Sequence, residues 1–321
     1  MPSWPKPRDS APLARITAWT LVLTYASAVP AQSVFHSDFE TDHATWAWYT
    51  HTIDGGGIRI GELATQESRV GASSARFIMD RSQGGLFHRA MFRKTDGFLT
   101  GSDERWIGFS TFFPRTGPDA WKVDPLPELI FQLHNDPDAS PILGLYCEAG
   151  KLGVEYRWSA IDPASNADVS TVDLPVGPQE PGRWVDWVFH VKLAPSDAGG
   201  ILEVWKTDSL GTSRKLVDLH GIRLGYPNGQ LPAIDIGLYK WPWKTATYNG
   251  VDSDVDRRVV YFDEFRLAGA EGSRLAVSPP SLIGMLLPSR RNAAFPIGLA
   301  TRDAAGRARA AIPFVPTFPS P

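Results

Sequence analysis

Three short stretches of this 321-residue chain carry side chains that can move protons or hold an anion. The first is ELIFQLH, Glu128 to His134. Read as a strand, it sends Leu129, Phe131 and Leu133 to one face and Glu128, Ile130, Gln132 and His134 to the other, because side chains alternate. Gln132 and His134 then stand together. In AIDIGLYKW, Asp235, Gly237, Tyr239 and Trp241 share the face opposite Ile234, Ile236 and Leu238. Gly237 would leave space beside Tyr239 for a ligand or another chain. In GLFHRAMFRK, Arg89, Met91 and Arg93 share one face and His88 and Ala90 the other. A mid-strand arginine is uncomfortable in a core and points to solvent or to an anion. Imidazole and phenol groups transfer protons. Amide and guanidinium groups donate hydrogen bonds. Each stretch also fits a plain solvent-facing strand.

The elements that must position these residues are short. Alternating runs such as SARFIMD, RWIGFSTFFP, KLGVEYRWS, GRWVDWVFHVKL and RVVYFDEFRLA are separated by Gly, Pro, Asp and Asn, and no long amphipathic helix interrupts them. That spacing predicts an all-β sandwich or jelly roll over residues 32–271. The 12 tryptophans and 8 tyrosines fit a large sandwich core. Before it, Lys6, Arg8 and Arg15 lead into the apolar run Ile16 to Ala28 and the small residues Val29 and Ala31. This predicts a secretory signal over residues 1–31, cleaved after Ala31. Residues 272–321 are rich in Pro, Ala and Arg and read as a tail or a fragment of a second module. The single cysteine, Cys147, has no disulfide partner and reads as a buried small hydrophobe. A net charge of −3 excludes a general nucleic-acid binder while allowing a locally basic cleft.

The three stretches, in this order, resemble the strands of polysaccharide lyases with a concanavalin A-like jelly roll, the group that includes alginate and glucuronan lyases. RAMFR (Arg89 to Arg93) is similar to their Arg-Ser/Thr-Glu-Leu-Arg strand, QLH (Gln132 to His134) to Gln-x-His, and GLY (Gly237 to Tyr239) to Gly-x-Tyr. The chain departs where the family carries Glu, here Met91, and where alginate lyases carry a Lys before the glycine, here Asp235. Lys240 and Trp241 replace the usual Asn-Gln. The resemblance implies β-elimination at a uronic acid, of glucuronan type rather than alginate. It implies Tyr239 as acid, and as base too on one sugar epimer. His134 would be base or carboxylate neutraliser on the other epimer. Gln132 and Arg89 would hold the carboxylate, and Arg93, Lys240, Trp241 and His88 the rest of the substrate. In KWPWKTATYNG, Trp241, Trp243 and Lys244 suit a sugar ring and an acidic chain, or equally a loop that caps the sandwich.

The partner expected on this reading is an acidic polysaccharide, acted on by a secreted monomer with no cofactor, no metal, no nucleic acid and no membrane. Two rivals share the fold class. A glycoside hydrolase needs a close carboxylate pair, and Asp263 and Glu264 in FDEF fall on opposite faces. A lectin-like carbohydrate-binding module needs aromatic platforms and often calcium. Asp252 to Asp256 lack the spacing of a helix–loop–helix calcium loop.

Overall fold

The computed structural model describes residues 35–40, 48–50, 62–83, 88–95, 97–98, 103–135, 139–163 and 165–280. The expected signal and most of the expected tail lie outside them. The described chain forms two antiparallel sheets packed face to face, the predicted jelly roll. One sheet runs β13 (Ser213–Ile222), β12 (Gly200–Thr207), β11, β6, β15, β4 and β3 (Glu62–Ala64), with β1 (Phe35–Ser37) paired to β15. Its central strands are β4 (Ser74–Asp80), β6 (Glu104–Phe112), β11 (Trp184–Lys192) and β15 (Arg257–Ala268). The other runs β10 (Ser170–Pro178), β9, β8, β7, β14, β5 and β2 (Trp48–Thr50). In it, β5 (Arg89–Lys94), β14 (Ala233–Tyr239), β7 (Glu128–His134), β8 (Leu143–Glu148) and β9 (Lys151–Trp158) lie side by side.

Alternation builds the core. Phe77 of β4 meets Phe92 of β5 edge-on at 4.9 Å, and Phe109 of β6 meets Phe131 of β7 at 5.1 Å. Both pairs cross from sheet to sheet. Each buried phenylalanine contributes about 1.5–3 kcal/mol by leaving water. Cys147 is fully buried among these residues. After β15 a short helix, α1 (Arg274–Val277), packs on β6, and Val277 is fully buried against Val188 and Ala268. The packed body therefore runs past residue 271.

Strand β7 does not alternate as its sequence suggests. Leu129 pairs with Tyr146 of β8, but Phe131 pairs with Leu145, so Ile130 is an extra residue in a bulge. Strand β14 has its own irregularity against β7, between Ile236 and Tyr239. As a result Glu128, Ile130, Phe131 and Leu133 face inward, while Leu129, Gln132 and His134 face outward. The expected places of Leu129, Glu128 and Ile130 are thus reversed. A bulge shifts the period by one residue, and every side chain on one side of it changes face.

Candidate active site

The outer face of the β5–β14–β7–β8–β9 sheet carries an open groove of about 1020 Å³. Strand register decides what meets in it. One rung reads Arg89, Tyr239, Leu129, Tyr146 and Gly153 across the five strands. A second reads Arg93, Asp235, Gln132, Gly144 and Glu155. Residues directly opposite in a sheet share a face. Gly153 is needed because the Tyr146 ring lies where its Cβ would be.

Tyr239 is the centre of the first rung. The Arg89 guanidinium stacks over its ring at 4.4 Å. The Lys244 ammonium donates to its hydroxyl at 3.2 Å. Trp241 lies beside it, ring centres 5.7 Å apart, and lines the groove. Lys244 and Trp241 belong to a single 3-10 turn, Trp241–Lys244, that follows β14 directly and carries a proline near its start. Cations placed this way favour any negative charge that develops on the phenol oxygen.

The second rung is tied together internally. Arg93 grips Asp235 through two hydrogen bonds, both 2.7 Å. Gln132 donates to the same carboxylate at 2.6 Å. Asp235 and Gln132 are both fully buried, so the amide expected to meet substrate lies beneath the groove floor. That corrects the expected role of Gln132 as a direct carboxylate donor. His134 lines the groove and is half-buried. It pairs with Ala233, six residues before Tyr239 along β14. At ~3.3 Å per residue the two backbones are roughly 20 Å apart. The predicted residues thus form two groups on one groove, not one cluster: Tyr239 with Arg89, and Gln132 with Arg93, with His134 beside the second.

Two expected substrate contacts turn away. Lys240 has no exposed surface. Its ammonium meets Asp124 at 2.8 Å, Glu128 at 3.4 Å and the Leu126 carbonyl at 3.1 Å. Being the residue after Tyr239, it faces inward by alternation. His88 is also buried, with Nε2 3.1 Å from the Arg81 carbonyl and its ring edge-on to the buried Trp243. Burial holds its imidazole below the usual value; the hydrogen bond to the Arg81 carbonyl opposes this, and the charges of Arg81 and Lys244 add to it. Of the undecided loop residues, Trp243 caps the core while Trp241 and Lys244 face the groove.

Gly237 serves the backbone rather than a ligand. Its φ is +132°, and a Cβ there would strike the Ala90 carbonyl and lie 2.9 Å from Phe77. That φ is almost confined to glycine. Gly237→Ala is expected to cost about 3 kcal/mol through strain and overpacking and to displace Tyr239 two residues on. Denaturant unfolding checks the first effect, and activity of the folded fraction checks the second.

Glu155 and Arg157 line the far end of the groove, and sequence reading missed them. Arg157 holds Glu155 at 2.8 and 2.7 Å. Burial raises the Glu155 carboxyl above its usual range, and Arg157 opposes that shift. The signal was present: in KLGVEYRWS the two charges stand two residues apart, opposite the face of Leu152, Val154 and Tyr156.

Residues 59–266 match the sequence profile of a family described as polysaccharide lyase. Among solved structures, the chain resembles an endo-β-1,4-glucuronan lyase from the fungus Trichoderma reesei, with a TM-score of 0.63 and 18% identity over 78% of this chain and 100% of that one. A marine alginate lyase from Aplysia kurodai aligns with a TM-score of 0.43 and 12% identity, over 65% of this chain and 87% of that one. No curated protein matches in sequence. At 18% identity the glucuronan lyase structure shows a shared fold.

Proposed function

Because this chain belongs to the polysaccharide lyase family, we propose that its groove cleaves a uronic-acid-containing polysaccharide by β-elimination, with Tyr239 moving the proton. The observation that carries this reading is the Tyr239 phenol set between Arg89 and Lys244 on an open groove. An open groove suits a polymer, and a phenol flanked by two cations suits proton transfer beside a carboxylate.

β-Elimination removes the proton on C5 of the uronate, and the electrons of that bond form the C4=C5 double bond. The glycosidic oxygen leaves C4 with its bonding pair and takes up a proton. Tyr239, as phenolate, receives the C5 proton and passes it to the leaving oxygen, so the site ends as it began. In a glucuronate ring the C5 proton and the C4 oxygen lie on the same face, which lets one group serve both steps. Lys244 steadies the phenolate, and Arg89 faces the carboxylate where negative charge builds. Gln132 and Asp235 act from beneath, by fixing Arg93. His134 lies too far along the strand pair to share the same proton and serves a neighbouring sugar unit.

Glucuronate is favoured over alginate because Asp235 stands where alginate lyases carry a lysine, and both its neighbours are committed to it. The N-terminal pattern supports secretion. The test is to incubate the purified protein with glucuronate-containing polymers, alginates, heparin and pectate, and to follow the ultraviolet absorbance of the unsaturated product. We expect a rise with the glucuronate polymers only. No rise with any of them, together with retention on an acidic-polymer gel, would replace this reading with a carbohydrate-binding module.

A further inference from the structure

The charges lining the groove are unevenly distributed. Among the described residues its cations are Arg89, Arg93, Arg157 and Lys244, and its carboxylate is Glu155. Arg89 and Lys244 both meet Tyr239. The other two are closed by this chain's own carboxylates: Arg93 by Asp235 at 2.7 Å twice, Arg157 by Glu155 at 2.8 and 2.7 Å. Arg157 also donates to the Pro141 carbonyl at 2.7 Å and to Thr171 at 3.2 Å. A substrate carboxylate arriving at either pair meets a bound carboxylate as well as a guanidinium, and the net attraction is small.

A polar atom left over at this end points the same way. Asn135 donates its amide to Asn228 at 3.3 Å and to the Gln230 carbonyl at 3.0 Å, which fixes its orientation. Its Oδ1 is buried with no hydrogen-bond partner. Asn135 lines the groove, and an acceptor at a binding surface is satisfied by a hydroxyl and repelled by a carboxylate.

We propose that the groove is built for a heteropolysaccharide: one uronate at Tyr239, and neutral sugar units over the second rung, from Arg93 on β5 to Glu155 and Arg157 on β9. The inference rests on the elimination reading above and deepens it. From β5 to β9 is four strand spacings, about 19 Å, so more than one sugar ring lies over the closed arginine pairs.

The test compares two oligosaccharides of equal length with the full-length protein, near pH ~8, where an ordinary imidazole is uncharged. One is an oligoglucuronate, the other alternates glucuronate with a neutral hexose. The expected result is a kcat/KM about tenfold higher on the alternating substrate, the size of one unfavourable charge contact. Glu155→Gln leaves Arg157 without its carboxylate and should narrow that preference several-fold. A ratio of two substrates is unaffected by any loss of folded protein. Equal or better turnover of the oligoglucuronate, or an unchanged ratio in Glu155→Gln, overturns the proposal while leaving elimination intact. Unsaturated product from neither substrate overturns the elimination reading and this inference with it.

Discussion

Tyr239→Phe lowers kcat about 10³-fold and leaves KM within a few-fold of its original value. The magnitude is that of a proton-transfer group, 10²- to 10⁴-fold, or about 4 kcal/mol of barrier. The split follows from the contacts. Phenylalanine keeps the ring that Arg89 stacks on and that lies beside Trp241, so the surface presented to substrate is preserved. Only the hydroxyl and its bond to Lys244 are lost. Steady-state kinetics on a cleavable polymer, with a melting curve to confirm folding, measures the effect. His134→Gln provides the contrast. On the single-group mechanism it changes KM more than kcat. If His134 were the base, its removal would match Tyr239→Phe in kcat. A loss below tenfold in Tyr239→Phe would remove Tyr239 from the chemistry.

Lys240→Met has its large effect on stability instead. Four charges, Lys240, Arg258, Asp124 and Glu128, are buried together beneath the groove. Removing one ammonium leaves Asp124 and Glu128 sharing Arg258, and breaking a buried pair costs about 3–5 kcal/mol. For a domain of this size that lowers Tm by roughly 10 °C. Burial works to raise the Asp124 carboxyl, but hydrogen bonds from Lys240 and Ser253 outweigh it and hold it below its ordinary value near 3.8. A carboxyl depressed in the folded state stabilises above its unfolded pKa and loses that contribution as pH falls through the folded value. The difference between Lys240→Met and the unaltered protein is therefore full at neutral pH and shrinks in acid below pH 3.8. Thermal melts across that range check it. A variant with an unchanged Tm and a raised KM would put Lys240 back in the groove.

What the sequence disclosed depended on how strictly its strands alternate. Arg89, Met91 and Arg93 keep the period of two, and their shared outward face was readable. Tyr239 and Trp241 were placed on the groove for the same reason, and Lys240 between them faces inward by that rule. Strand β7 broke the rule at Ile130, where one extra residue reverses Glu128 and Leu129. No residue type in LIF marks the bulge, because all three are apolar and fit either face. Gln132 kept its face and still missed the groove surface, since Asp235 across the rung drew its amide down. That contact depends on register between strands a hundred residues apart, which alternation within one strand does not encode. Glu155 and Arg157 went unread, and register gives Glu155 its meaning: it stands opposite Gly144, in the rung of Gln132.

The most direct test of the central claim is cleavage in water enriched in heavy oxygen, with the products weighed by mass spectrometry. Elimination takes no oxygen from water. Each cut therefore yields an unlabelled reducing end and a fragment one water lighter than its saturated counterpart. One labelled oxygen per cut at the new reducing end, with both fragments saturated, would mean hydrolysis, and would contradict the account given for Tyr239.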